Sequence, residues 1–272
     1  MLHLASSTEV PHLNASPGQV IGSCDLSPDL GVAMDFSNLF HGGFLQGELL
    51  DATWDWLQEQ SPYIVRYNEA WRVPVKSRPK INWGLKNNDG YWPLYKWGQI
   101  ADDYGRIEDM PPQIQRVAEA IEQRFGHPPG YLNSALGTFY ANGGDHFIAA
   151  HQDKGVWPDQ TPIYNLSFGA VRPFLLCDLK SMGQKDRGKL TVLHEFQMHL
   201  GDMIVLPHTV NRDYTHCVPR DKGVTSLRIS LGFRRLTKHW IREVPSGFEY
   251  FTEGDETERQ SKRRRRGLAM RP

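Results

Sequence analysis

Between Phe44 and Gln60 apolar residues recur three and four apart, at Leu45, Leu49, Leu50, Trp54 and Leu57, which predicts an amphipathic helix. A second helix is predicted from Pro111-Pro112 to Phe125. Ile114, Val117, Ala118, Ile121 and Phe125 form one stripe, the prolines sit where a first turn needs no N–H, and Gly126 closes it. From Tyr131 the period changes. Short runs at 131–140, 146–153, 163–169, 173–179, 189–195, 203–207, 213–218 and 225–235 are separated by turn residues and read as strands. Helices followed by a run of strands predict an α+β chain: a double-stranded β-helix, or jelly roll, buttressed by N-terminal helices. Residues 1–30, rich in Ser, Pro, Gly and Asn and without period, read as an irregular leader. One domain is expected over 31–245, and 246–272 reads as a basic, flexible tail.

At 272 residues the chain can bury one sizeable core, and 39% hydrophobic with 23% charged residues is ordinary for a globular protein. No apolar run approaches the ~18 residues of a membrane span, so no membrane partner is expected. Cys24, Cys177 and Cys217 are scattered and odd in number, which predicts a reducing, intracellular location, cytoplasmic or nuclear. Nothing in the sequence calls for more than a monomer. The formal net charge of zero hides an asymmetry. Seven Lys and Arg lie from Arg259 onward without an acid, so acids exceed bases by seven in the preceding body. A body that acidic is not an obvious polyanion clamp. The run Lys262 to Arg266 suits nucleic acid or an import receptor, and equally a solvated tail.

Candidate chemistry gathers at His151-Gln152-Asp153, His216, Arg228 and Arg234. Two imidazoles and a carboxylate form the ligand set of an open non-haem Fe(II) site. His151 and Asp153, two apart, share a face if their segment is extended. The pair alone says little, since roughly one His-x-Asp is expected by chance. In Arg228 to Arg234 alternation puts both arginines on one face, with Ile229, Leu231 and Phe233 on the other. Buried guanidiniums require an anion, whereas an edge strand would leave them in solvent. Tyr63 to Trp97 interleaves aromatic and basic residues, as a base-stacking surface or a packed hairpin would.

Four stretches together resemble the AlkB branch of the 2-oxoglutarate- and Fe(II)-dependent dioxygenases: Gly144 to Lys154, Pro162 to Gly169, Leu200 to Met203, and Arg228 to Arg234. The resemblance implies that His151, Asp153 and His216 hold Fe(II), with 2-oxoglutarate and O2 as co-substrates. It implies that Arg228 pairs with the distal carboxylate of 2-oxoglutarate, with Arg234 and Tyr140 nearby. Thr138 and Ser230 stand where the family usually has Asn, which leaves those contacts to shorter side chains. The family's lid corresponds to about 63–100, so Trp83 and Tyr91, with Gly155 and Trp157, become candidate substrate contacts. Gly155 replaces an acid that faces the alkylated base in the repair enzymes.

The reaction implied is hydroxylation of an unactivated C–H while 2-oxoglutarate loses CO2 to give succinate. On an N-methyl group the product collapses to formaldehyde and the free amine. Alkylated DNA or RNA is the substrate that the resemblance favours. Gly155 and the acidic body favour a small-molecule hydroxylase instead. A zinc or binding module on the same scaffold fits the ligand set but not two inward arginines.

Overall fold

The structure, a computed structural model, describes residues 35–70, 78–95, 107–245 and 247–253. The expected leader, the run Lys262 to Arg266 and much of the aromatic-basic stretch (Trp71, Arg72, Lys76, Lys96 and Trp97 among them) lie outside the described residues.

Three sheets carry the fold. The largest has seven strands in the order β1-β10-β7-β12-β5-β2-β4. These are β1 (Phe40–His41), β2 (Lys80–Gly84), β4 (Ile107–Asp109), β5 (Ser134–Tyr140), β7 (Ile163–Gly169), β10 (Met203–Leu206) and β12 (Arg228–Arg234). A four-stranded sheet follows the order β6-β11-β8-β9, from β6 (Ile148–His151), β8 (Arg172–Cys177), β9 (Val192–Met198) and β11 (Thr215–Val218). The third joins β3 (Trp92–Pro93), β13 (His239–Val244) and β14 (Gly247–Thr252). This is the jelly roll expected from the strand pattern. Gly247–Thr252, expected to open a flexible tail, instead pairs along its length with β13.

The alternation in the strands is used on both faces of the large sheet. Ile81, Trp83, Ala135, Phe139, Leu166, Phe168, Ile229, Leu231 and Phe233 form one buried cluster with Leu57 of helix α1 (Gly47–Ala70) and Ile114, Val117 and Ile121 of helix α2 (Pro112–Phe125). The backbone of α1 runs ten residues beyond the expected end. A side-chain bond from Gln113 Nε2 to Thr53 Oγ1 (2.7 Å) ties the two helices. Helix α2 ends as predicted: Gly126 takes φ 70°, a left-handed value that suits glycine. Its buried Glu122 then accepts from the backbone N–H of Gly130 and Leu132 (3.0 and 2.7 Å), aiming the chain into β5.

The opposite face meets the four-stranded sheet. Tyr140, Ile163, Ile204 and Leu206 pack there with Phe174, Leu176, Phe196 and Val218. A short helix, α3 (His208–Asp213), precedes β11 and fills the gap between the expected strands 203–207 and 213–218. Cys177 and Cys217 are buried free thiols. No described helix is long and apolar enough to cross a membrane.

Candidate metal and co-substrate site

His151 closes β6 and His216 lies on β11; the two are paired in register across these antiparallel strands. Their ring centroids are 4.3 Å apart, and Phe174 stacks on His216 at 5.4 Å and 12°. His151 Nδ1 lies 2.9 Å from the carbonyl oxygen of Ala149. A carbonyl only accepts, so Nδ1 is the donor and Nε2 is the ring nitrogen left to face a metal.

Asp153 arrives differently from the expectation of a shared strand face. The strand stops at His151, and Asp153 has φ −83° and ψ 75°, which is not extended. It is held by α3. Asn211 Oδ1 accepts from the Asp153 N–H (2.9 Å), and Asn211 Nδ2 donates to the Asp153 carbonyl (3.1 Å). Gln152 Nε2 donates to the Arg212 carbonyl alongside. Asn211 is buried and was not found by motif reading, because its partner is 58 residues away. Ligand atoms of His151, Asp153 and His216 lie within 4.8 Å of one another, a spacing on which one metal ion could sit.

Burial alone would keep Asp153 protonated. Arg234, His151 and His216 outweigh it and hold the carboxyl well below the usual range. Burial, with His151 and Arg234 adding to it, pushes His216 down to about 3 against the pull of Asp153. At neutral pH the buried partners are thus a carboxylate and a neutral imidazole, both free to donate lone pairs to a cation.

Both arginines of β12 are buried, since this strand is central in its sheet; the solvent-facing edge strand is not what forms. Arg234 Nη2 donates to Asp153 Oδ2 at 2.7 Å, and Nη1 donates to the Gly232 carbonyl at 2.9 Å. A Cβ at Gly232 would stand 2.9 Å from Arg234 Nη1, so the missing side chain leaves room for the guanidinium to fold back. Arg228 is only 1% exposed, and its Nε and Nη1 have no hydrogen-bond partner among the described residues. Its Cζ lies 5.0 Å from the Tyr140 ring centre. Burial lowers its pKa, partly offset by Tyr140 and reinforced by a second buried arginine, Arg172. Arg172 donates to the Pro219 carbonyl (2.6 Å) and stands 5.8 Å from the same ring. A lone arginine in the apolar run Ala170 to Cys177 gave no signal for this role. Two buried guanidiniums around one phenol, each with a buried donor that has no partner among the described residues, fit an anionic ligand such as a carboxylate.

A cavity of about 450 Å³ reaches from the candidate metal ligands to Tyr140; Arg228 and Arg172, which flank the Tyr140 ring, are not among its lining residues. Thr138, Tyr140, Ser230 and Arg234 line it together with the three candidate metal ligands. Arg78, Lys80 and Lys154 also line it, and among the described residues Asp153 is its only carboxylate. Burial, helped by Arg78 and opposed by Asp153, pushes Lys80 down to about 7.

The expected substrate contacts are not brought to this cavity. Trp83 alternates with Lys80 and Asn82 along β2, so it faces the helices, packed on Trp56 at 5.9 Å. Tyr91 sits against Phe251 (4.9 Å) and Arg242 (4.4 Å) on the third sheet. Gly155 is buried in a 3-10 turn, and Trp157 packs at its end beneath Lys154 Nζ (5.3 Å). None of the four lines the cavity; from the aromatic-basic stretch Arg78, Lys80 and Tyr95 do.

The DNA oxidative demethylase ALKBH2 of Bos taurus is 28% identical over 125 residues, 46% of this chain and 44% of that protein. The alpha-ketoglutarate-dependent dioxygenase alkB homolog 3 of Homo sapiens is 27% identical over 193 residues, 67% of this chain and 61% of that protein. The chain thus spans roughly half the length of the curated relatives it matches. A solved structure of OsALKBH1 overlaps 72% of this chain and 95% of its own at 17% identity, with a TM-score of 0.40. The model of the 2OG-Fe(II) oxygenase superfamily matches residues 40–234. Because that span is most of the chain and contains every strand that bears on the cavity, this chain belongs to the 2OG-Fe(II) oxygenase superfamily.

Proposed function

We propose that this chain oxidatively removes N-alkyl groups from nucleic acid bases, with His151, Asp153 and His216 holding Fe(II) and Arg228 holding the distal carboxylate of 2-oxoglutarate. Fe(II) with O2 supplies hydroxylation of an unactivated C–H, coupled to decarboxylation of 2-oxoglutarate to succinate. The chain's own groups do the rest. The carbonyl of Ala149 orients His151, Asn211 clamps the backbone of Asp153, and Arg234 fixes Asp153 Oδ2, leaving Oδ1 3.4 Å from His151 Nε2. Arg228, with Tyr140 beside it, offers two open donors for a carboxylate.

The observation that carries the substrate class is the charge of the cavity: among the described residues Arg78, Lys80, Lys154 and Arg234 line it against one carboxylate that is itself a candidate metal ligand. Such a wall favours a substrate that brings negative charge, as a nucleotide does through its phosphates. The relatives named for DNA demethylation support the same class.

A second reading is a hydroxylase of a small anionic molecule. Trp83, Tyr91 and Trp157, which would stack on a base, lie off the cavity, and Gly155 brings no side chain to read its edge.

One experiment separates the readings. Succinate and formaldehyde release are measured with Fe(II) and 2-oxoglutarate on a methylated single-stranded oligonucleotide, its unmethylated twin and a panel of anionic metabolites. Methyl-dependent release of both products is the expected result. Equal signals from the two oligonucleotides, with turnover on a metabolite, would transfer the site to the second reading.

A further inference from the structure

One pair of side chains on the cavity face lies outside the motif of metal ligands and arginines. Asn165 of β7 and Ser230 of β12 both line the cavity, and Ser230 Oγ donates to Asn165 Oδ1 at 2.5 Å. With Oδ1 engaged, the other polar end of the amide is Nδ2, which can only donate.

The strand register says where that donor stands. Asn165 is opposite Gly232. Gly232 is one alternation from Arg234, whose Nη2 holds Asp153, and two from Arg228. The amide therefore belongs to the metal side of the cavity, while Arg228, which does not line it, lies two alternations further along β12. Gly232 contributes no side chain of its own on that face, so Asn165 is the polar group at this level between Ser230 and Arg234.

We propose that Asn165 is a positioning residue for 2-oxoglutarate: its Nδ2–H donates to the metal-side carboxylate, and Ser230 orients the amide by fixing which end is oxygen. The inference rests on the co-substrate reading above. It moves to β7 the amide contact that the sequence led one to seek at residue 230, and makes residue 230 the group that sets its direction. Arg228 and Asn165 would then hold the two ends of one dicarboxylate.

The test uses the full chain loaded with Mn(II), which does not turn over, and measures the 2-oxoglutarate dissociation constant by calorimetry. Asn165→Ala is expected to weaken binding about ten-fold, as for a lost hydrogen bond to a charged group, with Mn(II) affinity unchanged. Asn165→Asp should weaken it further, since a second carboxylate meets the ligand's own. The exchange Asn165→Ser with Ser230→Asn returns the amide from the neighbouring strand and should recover most of the loss seen with Asn165→Ser alone. Unaltered affinity in Asn165→Ala, or an exchange variant no better than Asn165→Ser, overturns the proposal. Should Asn165→Ala melt far below the parent chain, the comparison of Asn165→Ser with the exchange variant decides. If the parent Mn(II) chain itself binds no 2-oxoglutarate, the co-substrate reading falls, a result distinct from loss in the variants alone.

Discussion

Arg234 Nη2 reaches Asp153 Oδ2 at 2.7 Å across 81 residues of sequence, with both side chains buried. One carboxylate oxygen is thereby committed to the guanidinium and the other turns toward His151. A group holding a candidate metal ligand by its second oxygen sets that ligand's geometry and charge at once.

Arg234→Met should lower Mn(II) affinity by about ten- to a hundred-fold, measured by calorimetry, because it frees Asp153 from its fixed rotamer and its countercharge. His216→Ala and Asp153→Ala should abolish turnover while circular dichroism stays that of the parent. Turnover surviving in both variants would remove the metal assignment.

Asn211→Ala removes the donor and the acceptor that clamp the backbone of Asp153. Two lost buried hydrogen bonds predict a destabilisation of about 2 kcal/mol in urea unfolding. Metal affinity should fall with it, because the turn that presents Asp153 loosens. A stability loss with unchanged Mn(II) affinity would show that the turn holds its shape without the clamp.

Arg228→Met should raise the 2-oxoglutarate concentration needed for half-maximal turnover. It should also raise the melting temperature of the ligand-free chain, since Nε and Nη1 are buried without partners and their removal relieves that cost. Stabilisation by added 2-oxoglutarate should vanish in the same variant. An undiminished ligand-induced shift would mean that another group holds the distal carboxylate.

Lys80 makes stability depend on pH in a stated direction. Its folded pKa is near 7 against an ordinary 10.5, so between those values the unfolded chain binds more protons than the folded one. Stability therefore rises as pH increases from about 7 toward 10.5, and the cost of the buried ammonium is fully present below 7. Lys80→Met should flatten that rise in urea midpoints taken across this window. A parallel rise in parent and variant would assign it to other groups.

The sequence by itself determined the elements and their faces. Period-two alternation is a property of the pleated backbone, so Arg228, Ser230 and Arg234 had to share a face whatever the strand's neighbours. Period near 3.6 likewise fixed the stripe of α2, and Pro112 and Gly126 fixed its ends. The candidate ligand set was legible through the four stretches that together resemble the family, not through the His-x-Asp pair alone, and Asp153 reaches it through a turn rather than an extended strand.

Tertiary structure alone decided which strands are neighbours and which face meets the cavity. Alternation separates Lys80 from Trp83 on β2, but only the packing of α1 and α2 makes Trp83 core and Lys80 cavity wall. Asn211 beside Asp153, Asn165 beside Ser230 and Arg172 across Tyr140 from Arg228 are contacts over 58, 65 and 56 residues or between residues with no shared local pattern. Local periodicity records how a segment divides its side chains between two sides. Which side closes on which partner follows from burying every apolar face at once, a condition that belongs to the whole chain.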